Sequence, residues 1–487
     1  MCGITGYIGK KKTTEVLLNG LYALEYRGYD SAGVAISDGK NLEIIKSVGR
    51  VKELEAKINK EDKLNSLYGI AHTGIGDCEN FLASDITAII KYTNKYILLD
   101  VGDIAVLTSD TCKIYHDGKP IEKEILISDS KGVDNSKNGY KHHMLKEIME
   151  EPVVLNNLIE RYKNEANRSE LDLSKYEQID IVACGSAMYA GLVGQNLFEE
   201  YANIKVDVYP ASEYRYKKKL YGKNPLVILI SQSGETADTI AAMREAHKLG
   251  IETLGIVNNP DSTIARECDR KILTNAGVEI AVATTKAYIL QVCVLSLMAL
   301  ETAKVKKLVQ GDEDYKAFEK LPALLKSVLD NNSYYEKVAD SIYQKESCFF
   351  IGRGIDYAIC MEGSLKLKEV SYLHSEAYQA GELKHGTISL VEENMPVLCV
   401  ITNKALKDKS ISNLKETEAR GAFGIVITTK DLDDFENYTK IVVPTTSMFT
   451  QSMLVVPALQ LLSYYVALKR GCDIDKPRNL AKSVTVE

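Results

Sequence analysis

Apolar positions fall into two regimes along this chain. Up to about residue 110 they come in short β-rich runs, GITGYIG, AGVAIS and YILLDVGDIAVLT, around one helical pattern, TTEVLLNGLYALEY. From about residue 111 to 141 the chain turns polar and irregular, and DSKGVDNSKNG predicts a loop or linker. KHHMLKEIMEEPVVLNNLIERYKNEAN then has the spacing of an amphipathic helix, with an interruption predicted at Pro152. Beyond it the pattern becomes strand followed by helix. The apolar runs IDIVACGS, NPLVILISQSGET and IETLGIVNN predict buried strands, and AMYAGLVGQNLFEEYA and ADTIAAMREAHKLG predict the helices between them. The plan then repeats, with SCFFIGRG, MPVLCVITN and FGIVITTK mirroring the three strands. The expected fold class is α/β, with two doubly wound parallel sheets joined near residues 321–336.

Composition narrows the function classes. A chain of 487 residues implies two to four domains. Its net charge of -7 and pI near 5.7 argue against a nucleic-acid partner, which rewards clustered Lys and Arg. A small phosphorylated ligand needs only local donors and stays open. Ten cysteines form no CxxC pair, and several, such as Cys184 and Cys399, sit in apolar runs. Reduced thiols are therefore expected, not a disulfide or zinc framework. Seven histidines show no metal-ligand spacing, so neither metal nor cofactor is expected. No stretch reads as long enough to span a membrane, and a soluble, cytoplasmic protein is the expectation.

The densest chemistry lies in ISQSGETADT. A buried strand ends in Ser231, Gln232, Ser233 and Gly234, and a helix starts near Thr236. A helix N-terminus offers free N–H groups and partial positive charge, so these hydroxyls predict an anion cradle, with Ser186 joining from the neighbouring strand end. The plain alternative is a strand–helix turn with a serine cap. In EGSLKLKEVSYLHSEAYQAGELKHG, Lys366 and Glu369 share a helix face, Glu362 lies one turn earlier and His385 follows in a loop. Such a set suits proton transfer beside a sugar carbonyl, and a solvated ion pair is the bland alternative. Lys482, in the polar tail DKPRNLAKSVTVE, belongs to a frayed end or to an ordered lid that brings an amine to a carbonyl. Cys2 becomes an N-terminal nucleophile if the initiator Met is removed.

Taken together, MCGITGYIG, LEYRGYDSAG, GIAHT, ENFLASD, KEI, SQSGETADT, TNAGVEIAVATTKAY, EGSLKLKEVSY, EAYQAGELKHG and PRNLAKSVTVE closely resemble the glucosamine-6-phosphate synthases, the isomerising glutamine:fructose-6-phosphate aminotransferases. The resemblance implies a truncated glutaminase domain of N-terminal nucleophile type, an α+β sandwich remnant, over 1–135. It implies linker helices over 136–169, sugar-isomerase (SIS) domains over 170–320 and 336–475, and a tail over 476–487. It also implies roles. Ser186, Ser231, Gln232, Ser233 and Thr236 hold the sugar phosphate, with backbone help near Val282. Glu369 moves a proton between C1 and C2, assisted by Lys366. Lys482 forms an imine with the sugar. His385 assists ring opening from a neighbouring subunit, which makes a homodimer the expected state. Cys2 is the glutaminase nucleophile, and Arg27 supports it. The substrates implied are fructose 6-phosphate and glutamine or ammonia.

One stretch departs from that pattern. In YGIAHTGIGDCENFLASD, residues 68–85, the family's RWATHG continuation after GIAHT is missing, as are its HNG segment and a later acidic residue. The gap is on the order of a hundred residues, a small domain's worth. In the family those segments clamp glutamine and form the oxyanion hole. Losing one oxyanion donor typically costs about a hundred- to a thousandfold in rate. An internally deleted glutaminase beside a complete sugar site is the reading that follows, with several strands removed and sheet edges left open. The competing readings are an isomerase-only enzyme, a sugar-phosphate sensor, or a chain whose ammonia comes from another polypeptide.

Overall fold

The computed structural model describes residues 3–25, 31–61, 68–69, 74–76, 79–84, 88–100, 102–128 and 136–485. The chain divides into two compact units, Met1–Ser136 and Lys137–Glu487.

In the first unit, strands β1 (Thr5–Ile8), β2 (Ser31–Ser37), β3 (Leu42–Val48), β4 (Tyr68–Gly69), β5 (Gly74–Gly76) and β6 (Glu79–Ala83) form an antiparallel sheet ordered β3-β2-β4-β1-β6-β5. The β2–β3 hairpin closes through Asp38, whose carboxylate accepts the N–H groups of Lys40 and Asn41 at 2.8 and 2.7 Å. Helices α1 (Thr13–Leu24) and α2 (Val51–Glu61) place Val16, Leu17, Leu24, Leu54 and Ile58 in one core with Tyr7, Val34, Ile36, Ile45 and Phe81. Shorter pairs follow: β7 (Lys95–Tyr96) with a later β11 (Leu126–Ile127), and the meander β8 (Asp103–Leu107), β9 (Cys112–His116), β10 (Lys119–Ile121). One edge of this sheet is β3, where Leu42, Ile44 and Val48 face outward and Val48 is 87% exposed. The two sides of the sequence junction enter the same sheet at separate places, β4 between β1 and β2, β5 at the far edge beside β6.

The second unit opens with α3 (His143–Arg161) and the short α4 (Glu165–Arg168). Its first sheet alternates β12 (Gln178–Ala183), α5 (Gly185–Ala202), β13 (Lys205–Pro210), α6 (Ala211–Tyr214), β14 (Pro225–Ser231), α7 (Ala237–Lys248), β15 (Glu252–Val257), α8 (Thr263–Glu267) and β16 (Arg270–Leu273). All neighbours are parallel, in the order β13-β12-β14-β15-β16. Helices α9 (Lys286–Val305), α10 (Asp312–Leu329) and α11 (Asn332–Ala339) lead to the second sheet. There β17 (Ser347–Gly352), α12 (Ile355–Ser371), β18 (His374–Gln379), β19 (Pro396–Ile401), α13 (Lys407–Glu418), β20 (Phe423–Thr429), β21 (Thr439–Val443) and α14 (Met448–Lys469) repeat the order, β18-β17-β19-β20-β21. One core runs through both sheets, including Ile179 and Ile181 of the first and Phe350 and Leu398 of the second.

Two expectations need correction. Helix α3 runs through Pro152 without a break. Its buried face, Met144, Ile148, Leu155 and Leu158, packs into the shared core, and that burial outweighs the one backbone bond the proline removes. Among the described residues two helices, α9 and α14, are long and apolar enough to cross a membrane, contrary to the sequence reading. Both are 89% buried within the unit, where their apolar faces meet core side chains on every side.

Candidate functional site

In an open parallel sheet with this strand order, the crevice lies at the carboxyl ends of the strands where the winding reverses. Here that point is between β12 and β14. A cleft of about 360 Å³ opens there. Its walls come from the starts of α5 and α7, the loop from 279 to 285, Gln291 of α9, Glu369 of α12 and the tail from Leu480 to Val484.

The cradle is built by the turn after β14. Ser231 Oγ lies 2.9 Å from Thr236 Oγ1 and accepts the Gly234 N–H at 3.0 Å. Ser233 Oγ accepts the Glu235 N–H at 3.2 Å. Gly234 has φ +67°, and a Cβ there would stand 2.0 Å from Ser262 Oγ. Only glycine therefore lets the turn close against α8. Glu235 is aimed away from the cleft, accepting the Thr263 N–H and hydroxyl at 2.7 and 2.9 Å. That acid of the motif is thus turned out of the cradle, while Asp238, in the first turn of α7, stays on the cleft wall. Thr236 caps α7 without a side-chain bond to its own helix. Across the switch point, Ser186 lies in the first turn of α5, and its hydroxyl donates to Glu362 Oε1 at 3.1 Å. Two helix N-termini and their hydroxyls converge on one space, an arrangement fit for a dianion. The second sheet carries no such cradle at the matching place. There Asp356, pushed up to about 6 by burial, takes both the N–H and the hydroxyl of Thr402.

The tail is ordered, not frayed. Val484 carbonyl accepts the Ala237 N–H at 3.1 Å, and the Ser483 hydroxyl donates to Ser233 Oγ at 3.1 Å. Lys482 is brought to the cleft with its side chain 2% exposed, 2.5 Å from Glu279 Oε2. Glu279 also accepts the N–H groups of Thr285 and Ala287. Burial works to raise its carboxyl, and Lys482 with the two N–H groups outweighs burial and lowers it. Val282 lines the cleft, but its N–H is already given to the Asp475 carbonyl at 3.0 Å.

Opposite stands Glu369, 21% exposed on the cleft wall, with Lys366 Nζ 2.5 Å behind it. Lys366 does not reach the cleft. It is 1% exposed and also lies 3.6 Å from Glu362, so the expected alternative of a solvated ion pair is overturned. Burial alone lowers Lys366, and Glu362 and Glu369 more than restore it. Glu362 is pushed up to about 8 by burial, against the pull of Lys366. One ammonium thus serves two carboxyl groups, and the deeper one takes the proton.

Of the residues singled out by sequence, Ser186, Ser231, Gln232, Ser233, Thr236, Val282, Glu369 and Lys482 share the cleft. His385 does not. It lies in a 3-10 turn, Glu382–His385, and is exposed. Cys2 and Arg27 lie outside the described residues. Sequence reasoning missed Glu279, Thr284 and Gln291. An acid inside the otherwise apolar GVEIAVA was the available signal for Glu279.

Comparison with known proteins follows this geometry. The SIS domain family matches residues 172–301 and 341–470. Two relatives named glutamine–fructose-6-phosphate aminotransferase (isomerizing), from Caldanaerobacter subterraneus subsp. tengcongensis and Clostridium tetani, are each 37% identical, over all of this chain and all of the relative. Those alignments run over 609 and 610 positions against 487 residues here, so the shortfall is internal. A solved C-terminal domain of glucosamine-fructose-6-phosphate aminotransferase from Francisella tularensis is 38% identical, with a TM-score of 0.67, over 71% of this chain and 100% of that one. A Thermotoga maritima structure named glucosamine-6-phosphate deaminase shares the fold at 24% identity, TM-score 0.57, over 70% and 99% of the two chains.

Proposed function

The chain belongs to the isomerising glutamine–fructose-6-phosphate aminotransferase family, and from that premise we propose how its residues divide the work. It is an enzyme that makes glucosamine 6-phosphate from fructose 6-phosphate. The observation that carries the site assignment is the single cleft that joins a hydroxyl cradle, the Lys482 amine and the Glu369 carboxylate.

The sugar phosphate sits on Ser186, Ser231, Gln232, Ser233 and Thr236, where the N-termini of α5 and α7 favour its charge. That places the carbonyl end toward Lys482. The ammonium hands a proton to Glu279, and the free amine attacks C2, forming an imine with loss of water. Ammonia then displaces the lysine from the imine carbon. Glu369 takes a proton from C1 and returns one to C2 while the C1 hydroxyl proton passes to the imine nitrogen, leaving an aldehyde at C1 and an amine at C2. Lys366 holds Glu369 in place from behind the wall.

Glutamine serves poorly or not at all as donor in this reading. The motifs that clamp glutamine are missing from the sequence, and the alignments with relatives leave internal positions unfilled. Free ammonia replaces it. His385, exposed and outside the cleft of its own chain, serves the cleft of a second copy, so the working form is a homodimer. Residues 170–320 and 336–475 are the paired SIS domains, preceded by the glutaminase remnant and α3, and the setting is cytoplasmic.

Borohydride reduction of the chain with fructose 6-phosphate tests the site. The expected result is a mass increment on Lys482 and none in Lys482→Ala. A covalent adduct on a different lysine, or none while product forms, would overturn the assignment.

A further inference from the structure

The 279–285 loop brings Val282 and Thr284 to the cleft and sets Glu279 behind Lys482, yet it belongs to no helix or strand. What holds it comes from α3. Glu147, in the second turn of α3, is buried, and its Oε1 accepts the N–H groups of Ile280 and Ala281 at 2.5 and 3.2 Å. One residue on, the Val282 N–H goes to the Asp475 carbonyl, and the Asp475 carboxylate accepts the Met144 N–H at 3.0 Å. Just past the loop, Lys286 pairs with Glu150 of α3 at 2.8 Å. The opening turns of α3 therefore grip the loop along its length and, through Asp475, the segment leading into the tail.

We propose that Glu147 is a positioning residue for the sugar site: it fixes the 279–285 loop so that Glu279 holds the Lys482 amine beside the hydroxyl cradle. Glu147 lines no part of the cleft and acts only through Glu279. Its carboxyl is raised by burial and by the nearby Glu279 charge, and its Oε2 is buried with no partner. The neutral acid is the form that fits, with Oε1 as acceptor for two N–H groups and the proton on Oε2. A glutamine can reproduce that acceptor, since its carbonyl oxygen stands where Oε1 does. An apolar residue cannot, and it leaves two buried N–H groups unmet.

The functional meaning rests on the role given to Lys482 above, so the test separates the two. The full chain is labelled with acetic anhydride, and modification is read by mass spectrometry at Lys482 and at Lys366, which is equally buried but belongs to α12. Glu147→Leu is expected to raise Lys482 labelling about tenfold, the loss of roughly one such hydrogen bond, with Lys366 unchanged. Glu147→Gln is expected to stay near the parent. In ammonium-dependent synthesis, Glu147→Leu lowers kcat while the KM for fructose 6-phosphate holds, because the cradle is intact. Continued protection of Lys482 in Glu147→Leu overturns the inference, as does a joint rise at Lys482 and Lys366, which marks general loosening. If the labelling pattern holds but the parent makes no glucosamine 6-phosphate, the positioning inference stands and the functional reading falls.

Discussion

Lys366→Met is the substitution whose cost follows most directly from the structure. The ammonium sits 2.5 Å from Glu369 and 3.6 Å from Glu362, almost fully buried. At an effective dielectric of about 20, a unit pair at that longer distance attracts by about 4–5 kcal/mol before desolvation is subtracted. Methionine fills the volume but leaves a buried carboxyl group without its counter-charge, which costs about 3–5 kcal/mol when that group is ionised. The cost depends on pH in a defined direction. Glu362 has a folded value near 8, well above its ordinary 4.5, so the folded state keeps a proton that the unfolded state has released. Stability therefore falls as pH rises from about 5 toward 8 in the parent. Removing Lys366 lifts Glu362 further, and the fall continues to higher pH in the variant. The penalty is expected to be about 1–2 kcal/mol at pH 6, where Glu362 is neutral in both chains, and about 3–5 kcal/mol at pH 9. Urea unfolding followed by far-ultraviolet circular dichroism at the two pH values measures it. A penalty that is equal at both, or under about 1 kcal/mol throughout, would refute the placing of Lys366 between two carboxyl groups.

Two other outcomes follow. Gly234→Ala should lower the melting temperature and raise the KM for fructose 6-phosphate, since a left-handed alanine costs about 1–2 kcal/mol and its Cβ must also displace Ser262; unchanged melting and KM would remove the turn from the phosphate site. Purified Lys482→Ala and His385→Ala chains, each inactive alone, should regain ammonium-dependent activity when unfolded and refolded together. No recovery would mean that His385 serves no neighbouring cleft.

The sheets were legible because their strands are continuous apolar runs bounded by turns, a pattern set by burial on both faces. IDIVACGS and NPLVILISQSGET could hardly be anything else, and their strand ends carried the cradle with them. What stayed hidden was decided by packing between distant segments. Pro152 marks a helix break in any local reading, and only the core under α3 shows why the helix continues. The length and apolarity of α9 and α14 were overlooked, although their complete burial lies beyond any local pattern. Lys366 and Glu369 had the spacing of a surface pair, and only α12 packed against α5 and α14 turns them inward. Glu279 escaped notice because its ion-pair partner, Lys482, lies 203 positions away along the chain. In the first unit, the short runs around residues 68–85 showed a junction but not that its two sides enter one sheet at separate places.

The most direct test of the central claim is glucosamine 6-phosphate formation from fructose 6-phosphate by the purified chain, with ¹⁵N-ammonium and ¹⁵N-amide glutamine supplied in parallel reactions. The account predicts labelled product with ammonium and none above background with glutamine. Labelled product from glutamine at a comparable rate would contradict it, because the chain would then hold a working glutaminase without the clamp and oxyanion segments its sequence lacks.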